Sequence, residues 1–186
     1  ADLWGYDINP HLKEFFPQKD NFHFVSADLN KAPGQFDLIT LSHSIILIPD
    51  LNELMTSISH LIQDDGIMFV QFPDISINPY YSLMGDQSFI FSETSLINVL
   101  SKFGFRGEVI NNAYFPRELL FAVQKDESVR TGKFQADNLF EKNIKTLNHV
   151  KTQLENMNHP NLTVLGTTVN AAFVDEILGG SIDSFV

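Results

Sequence analysis

Three short apolar runs in this chain each lead to a residue able to do chemistry. Leu3–Tyr6 ends at Asp7, Phe22–Val25 leads to Asp28, and Phe36–Leu41 leads to Ser42-His43-Ser44. A carboxylate such as Asp7 can accept two hydrogen bonds from a ribose diol, or it can cap a helical start at Asn9-Pro10. Asp28, together with the backbone N–H of Leu29, can read an adenine edge, or it can close an Asx-turn. An imidazole at His43 can act as a base, or it can make structural hydrogen bonds alone. All three positions lie just after a strand-like run, where open α/β sheets bind their ligands.

The runs have to be strands for these ends to converge. Leu3–Tyr6 and Phe22–Val25 are short and apolar, and Phe36–Leu41 is apolar enough for a parallel strand covered on both faces. Leu51, Leu54, Met55, Ile58, Leu61 and Ile62 form one stripe of a helix over Asp50–Gln63. Asp50 is placed to cap that helix, with Glu53 at the acidic position of a capping box. Gly66 opens the strand Ile67–Phe72, which Pro73 ends. The stretch from Asp74 to Phe91 has little periodicity and reads as a long, functional loop. Ser92–Phe103 is a helix stopped by Gly104. Leu119–Val123 is a late strand with Gly107–Ile110 as its partner.

Polar residues over 124–132 mark a boundary. Beyond it, Asp137–Met157 reads as a long helix with Phe140, Ile144, Leu147, Val150, Leu154 and Met157 on one side, stopped at Asn158-His159-Pro160. Leu162–Leu165, Val169–Leu178 and Ile182–Val186 then read as strand, helix and strand, a βαβ unit with Gly179-Gly180 as the helix stop. Strands alternating with helices predict an α/β fold with a parallel or mixed sheet.

Composition narrows the function classes. The 186 residues carry 12 Lys+Arg against 23 Asp+Glu, a formal charge of −11, and no Cys. Nucleic-acid binding calls for clustered basic surface, which is absent. Disulfides, thiolate metal sites and Cys nucleophiles are excluded, and no metal site is expected. No apolar run reaches the roughly 20 residues of a membrane span, and no signal peptide is legible. A cytoplasmic protein acting on a small molecule is the expectation.

In order, these features resemble class I S-adenosylmethionine-dependent methyltransferases over residues 1–125. Leu3-Trp4-Gly5-Tyr6-Asp7-Ile8-Asn9-Pro10 is similar to that family's second strand with its ribose-binding acid. Phe24–Leu29 is similar to its adenine-contacting segment, and Phe36–His43 to its fourth strand, followed by Ile48-Pro49-Asp50 at a helix start. Leu61–Ile67 resembles its helix, acidic turn, Gly and fifth strand, and Phe91–Leu96 to Gly104-Phe105 resembles its "FS-x-x-(S/T)-L … GF" helix. The C-terminal part, from Val164-Leu165-Gly166-Thr167-Thr168 to Ser184-Phe185-Val186, resembles the C-terminal α/β domain of sugar C-methyltransferase-like proteins.

The resemblance implies an incomplete Rossmann-like methyltransferase sheet over 1–125, a linker over 126–136, and a long helix plus a partial βαβ unit over 137–186. It implies S-adenosylmethionine as cofactor, held by Asp7, Ile8, Asp28, Leu29 and Ser42, and a small-molecule acceptor such as a nucleotide-linked sugar. The family's first strand and glycine-rich cofactor loop are expected to be missing, and the C-terminal unit to be cut short. The sheet is then expected to expose two strand edges, covered by a homo-oligomeric partner, a swapped segment or a rearrangement. The family's His-Glu-His stretch is replaced by Gly85-Asp86-Gln87-Ser88-Phe89-Ile90-Phe91-Ser92, which leaves His43, Asp86 and Tyr81, with neighbouring Tyr80, as catalytic candidates. A non-catalytic interaction module that no longer binds cofactor is the alternative, and an unrelated nucleotide-binding α/β protein a third reading.

Overall fold

Residues 1–110, 113–157, 162–179 and 181–186 are described by the computed structural model. Three strands come first, β1 (Leu3–Asp7), β2 (Phe22–Ser26) and β3 (Phe36–Ser42). Helix α1 (Leu51–Leu61) and strand β4 (Ile62–Pro73) follow, then α2 (Glu93–Lys102), β5 (Phe105–Val109) and β6 (Glu118–Lys125). The chain continues through α3 (Leu139–Glu155), β7 (Leu162–Val164), α4 (Val169–Leu178) and β8 (Ile182–Phe185). The fold is α/β, and the predicted strands and helices all occur.

The first helix starts where its cap dictates. The Asp50 carboxylate accepts from the Glu53 amide at 2.9 Å, satisfying one of the orphan N–H groups of the first turn. The helix ends at Leu61, two residues before the expected Gln63. Ile62 already belongs to β4 and pairs with Phe36, while Ile67 pairs with Leu38. Residues 63–66 of β4 therefore bulge opposite a single residue of β3. Gly66 fits inside this irregularity because a Cβ there would lie 2.9 Å from the Phe36 carbonyl oxygen. Bulges of this kind leave no mark on hydrophobic periodicity.

The main sheet has the order β3-β4-β6-β5. Strands β3 and β4 are parallel, while β6 runs antiparallel to both β4 and β5. From Gly66 onward every second residue of β4 is buried, and Met68, Val70 and Phe72 face Leu54, Met55 and Ile58 of α1 and Leu96 and Leu100 of α2 in one cluster. Phe121 and Val123 of β6 join it. The Phe72 and Phe121 rings stack with centroids 5.9 Å apart. Each such fully buried side chain is worth roughly 1.5–3 kcal/mol of transfer free energy.

Strands β1 and β2 form a separate parallel pair. Among the described residues, β1 pairs only with β2 and β3 only with β4, so each presents an unpaired edge. Strand β3 was expected to be covered on both faces, but Leu38 is 53% exposed. Its edge position explains this. Trp4 of β1 reaches toward Phe36 of β3, ring centroids 6.3 Å apart. Within β1, Gly5 leaves room for the Phe16 ring, which a Cβ would meet at 2.1 Å.

The polar stretch after β6 is ordered. The Asp126 amide donates to the Gly104 carbonyl at 2.8 Å, and Arg130 Nη2 donates to the Phe103 carbonyl at 2.9 Å, so this stretch is tied to the end of α2. Helix α3 buries less than its stripe suggests: Leu147 and Asn143 are buried, whereas Phe140 is 49% exposed. Asn143 donates to the Ile75 carbonyl at 2.9 Å and to Ser82 Oγ at 3.2 Å, which fixes the 74–91 loop against α3. That loop carries a single helical turn, Pro79–Leu83, and Tyr80 packs edge-on to Phe173 of α4 at 5.3 Å. Strands β7 and β8 are parallel and joined by α4, a βαβ unit, and Gly179 ends α4 at φ 59°. The expected stops at Asn158-His159-Pro160 and Gly180 lie outside the described residues. Among the described residues no helix is long and apolar enough to cross a membrane.

Candidate functional site

The carboxyl ends of β1, β2 and β3 surround a cleft of about 480 Å³, a volume suited to a small ligand. Tyr6, Asp7 and Ile8 line it from β1, Ala27 and Leu29 from the turn after β2, and Ser44 and Leu47 through Asp50 from the turn after β3. Glu53, Leu54 and Ser57 of α1 close it. Ser57 Oγ donates to Asn30 Oδ1 at 2.9 Å, which ties α1 to the turn after β2.

Three of the five residues expected to hold a cofactor, Asp7, Ile8 and Leu29, lie together in this cleft. Asp7 Oδ1 accepts from the Asn9 amide at 2.8 Å. A carboxylate has acceptor capacity well beyond one bond, so capping and ligand binding are compatible here. Asp28 is placed differently. Its carboxylate accepts from the Asn30 amide at 3.0 Å and caps a short turn, and it is not part of the cleft wall. Ser42 likewise turns to another partner, donating to Gln71 Oε1 at 3.3 Å.

The cleft is electronegative. The Tyr6 phenol is held above its usual value of 10.0, first by burial and then by the carboxylates of Asp28, Glu53 and Asp7. Asp50 adds a fourth carboxylate to the region. Apolar walls from Ile8, Leu29 and Leu47 with a carboxylate at the rim fit a nucleoside, and the surrounding acids fit a cationic group attached to it. A sulfonium nucleoside meets both conditions.

A polar chain lies beside the cleft, across the ends of β3, β4 and β6. His43 Nε2 is 3.2 Å from both carboxylate oxygens of Glu118. Gln71 donates to the same carboxylate, and Ser42 donates to Gln71. The His43 amide donates to the Gln71 carbonyl at 2.8 Å, which holds the residue in the left-handed region at φ 55°. Among the described residues, the other non-glycine residue with positive φ is Ala27 of the cleft wall, at 68°. Such conformations cost free energy and cluster at functional sites.

Glu118 and Gln71 were not legible in the sequence. Glu118 comes near His43 only because β6 runs antiparallel, which puts its first residue beside the last residues of β4. Tyr81 and Asp86 lie in the 74–91 loop, and neither lines the cleft. Tyr81 sits in the helical turn with its amide on the Asn78 carbonyl at 3.1 Å, and Asp86 is exposed. A second cleft of about 320 Å³ holds Asp74, Ser92, Glu93 and Asp137. Among the described residues no group of three His, Cys, Asp or Glu side chains could hold a metal ion.

Comparison with known proteins agrees with this geometry. Residues 1–109 match the model of a methyltransferase domain. No curated protein matches the sequence. Among solved structures, a protein assigned as a type 11 methyltransferase from Sulfolobus solfataricus superposes with a TM-score of 0.54 at 18% identity, covering 73% of this chain and 78% of its own. A Haloferax volcanii complex of a methyltransferase and its activator gives 0.50 at 11% identity, covering 67% and 71%. A protein described as a pericyclic reaction enzyme gives 0.53 at 10% identity, covering 68% of this chain and 37% of its own. Identities this low establish the shared fold and leave the chemistry to the site. The family match spans more than half of the 186 residues. With a Rossmann-like methyltransferase fold and the site at its strand ends, this chain belongs to the methyltransferase domain family.

Proposed function

We propose that the protein transfers a methyl group from S-adenosylmethionine to a small-molecule acceptor. The observation that carries this reading is the cleft beyond β1 and β2, where Asp7 meets the apolar walls of Ile8 and Leu29 within an acidic surround. Asp7 accepts from the ribose diol, Ile8 and Leu29 flank the base, and Asp28 and Ser42 hold the turns that shape the cleft. When bound, S-adenosylmethionine supplies an electrophilic methyl carbon. The chain's own residues then orient the nucleoside and place an acceptor in line, and proximity and orientation supply much of the rate.

A nucleotide-linked sugar is the finer assignment for the acceptor. Its support is the C-terminal part packed against the 74–91 loop, through Phe173 of α4 on Tyr80 and Asn143 of α3 on the Ile75 carbonyl. The loop's Tyr81 and Asp86 are then acceptor contacts.

The unpaired edges of β1 and β3, with Leu38 of β3 exposed, favour a second reading. In that reading the chain is an assembly module whose edges are covered by another copy. Isothermal calorimetry with S-adenosylmethionine separates the two. Methyl transfer predicts saturable binding that weakens roughly 10- to 100-fold in Asp7→Ala, the loss of charge-assisted hydrogen bonds. Absence of binding, or equal binding by Asp7→Ala, overturns it.

A further inference from the structure

Residues 132–138 run back along α2 and are locked to its middle. The Asn98 side-chain amide donates to the Gln135 carbonyl at 2.9 Å, and the Gln135 backbone amide donates to Asn98 Oδ1 at 3.0 Å. A hollow lies on each side of this lock. The one toward the end of α2, about 210 Å³, is lined by Lys102 of the helix and Lys133 and Phe134 of the segment. The one toward the start of α2 is the second cleft, with Glu93 of the helix and Asp137 and Ala136 of the segment. Among the described residues no acidic side chain lines the first hollow and no basic one the second.

The charges are arranged symmetrically about the lock. Lys133 and Asp137 each stand two residues from Gln135, and Glu93 and Lys102 stand five and four residues from Asn98. All four are exposed, and among the described residues none joins an intrachain ion pair. Arg130, which also lines the basic hollow, is already taken by Glu127. Glu93 and Lys102 are separated by roughly 14 Å of helix, beyond the screening length of about 8 Å at physiological salt, so the two ends do not neutralise each other. The helix dipole accounts for an acid at the start of α2 and a base at its end. It does not account for Asp137 and Lys133, which repeat that polarity on the segment.

We propose that this face docks a second copy of the chain, related by a two-fold axis through the Asn98–Gln135 lock. A two-fold contact apposes one patch to itself, so it needs a patch whose halves complement each other. Under this axis Lys133 meets the partner's Asp137, and Lys102 meets the partner's Glu93. Phe134, 68% exposed, lies opposite the partner's Ala136, a large ring against a small side chain. Two chains of charge −11 repel each other in most orientations. Here the apposition brings opposite charges together four times. No residue of this face lines the nucleoside cleft, so the proposal is independent of the methyl-transfer reading. It also leaves the edges of β1 and β3 uncovered.

Sedimentation velocity of the full chain over a range of concentration and salt tests the proposal. The expected result is a monomer–dimer equilibrium that moves toward monomer as salt rises. Lys133→Glu places two like-charge contacts in each dimer and should weaken it by roughly 10-fold or more. Lys102→Glu should act in the same direction. Adding Glu93→Lys to Lys102→Glu should recover the dimer, because the reversed charges again oppose each other. Circular dichroism checks that the variants fold; if Glu93→Lys disturbs the start of α2, the response to Lys133→Glu decides alone. A monomer at every concentration, a dimer indifferent to both lysine reversals, or a folded double variant without recovery overturns the proposal. So does a dimer that Leu38→Lys dissolves and Lys133→Glu does not, which would put the contact at the β3 edge.

Discussion

Tyr6 reports on the electrostatics of the cleft more directly than any other residue. Tyr6 is 37% exposed, yet partial burial and three nearby carboxylates hold the proton on its phenol. The folded value lies above the unfolded one, so the associated stability is fully present below pH 10.0 and is lost as pH rises through the folded value. Spectrophotometric titration should therefore show one tyrosine ionising late, and Tyr6→Phe should remove that late phase. Identical curves for the two proteins would contradict an acidic cleft. At this scale the sequence was informative about Asp7, Ile8 and Leu29, because each sits within four residues of a legible strand end. It was silent about Glu118, whose meeting with His43 spans 75 positions. It also left the role of Asp28 open between a ligand and a cap, and the structure shows its carboxylate on the Asn30 amide.

The elements that position these residues depend on a few local devices. Ser92 is one. Its Oγ accepts from the Ser95 amide at 3.0 Å while Ser95 Oγ accepts from the Ser92 amide at 2.8 Å, a reciprocal capping arrangement that starts α2. Ser92 also contacts Asp137, just ahead of α3, so one buried hydroxyl joins two elements. Ser92→Ala should lower stability by about 1–2 kcal/mol, read from the urea midpoint at unchanged slope. A change near zero would show that the cap is replaced by solvent. This helix start was legible in Phe91-Ser92. The start of β4 was not, because Ile62 continues the apolar stripe of α1 in sequence while pairing with Phe36 in space. The exposure of β3 was equally hidden, since an apolar strand reads the same at a sheet edge as at its centre.

At the scale of the whole molecule, two parallel strand pairs meet across a gap bridged by Trp4 and Phe36, with the cleft at one end of it. The order of strand ends, and not any single motif, carried the α/β reading through the sequence. How the strands divide into a pair and a four-stranded sheet is a tertiary outcome that periodicity does not encode. The central claim is that the cleft beyond β1 and β2 is a nucleoside site. Mapping backbone amide shifts on addition of S-adenosylhomocysteine tests it most directly. The account predicts that the perturbed amides cluster at Asp7, Ile8, Ala27, Leu29 and Ser44. Shifts concentrated instead around the second cleft at Asp74, Ser92 and Asp137, or no shifts at saturating ligand, would contradict it.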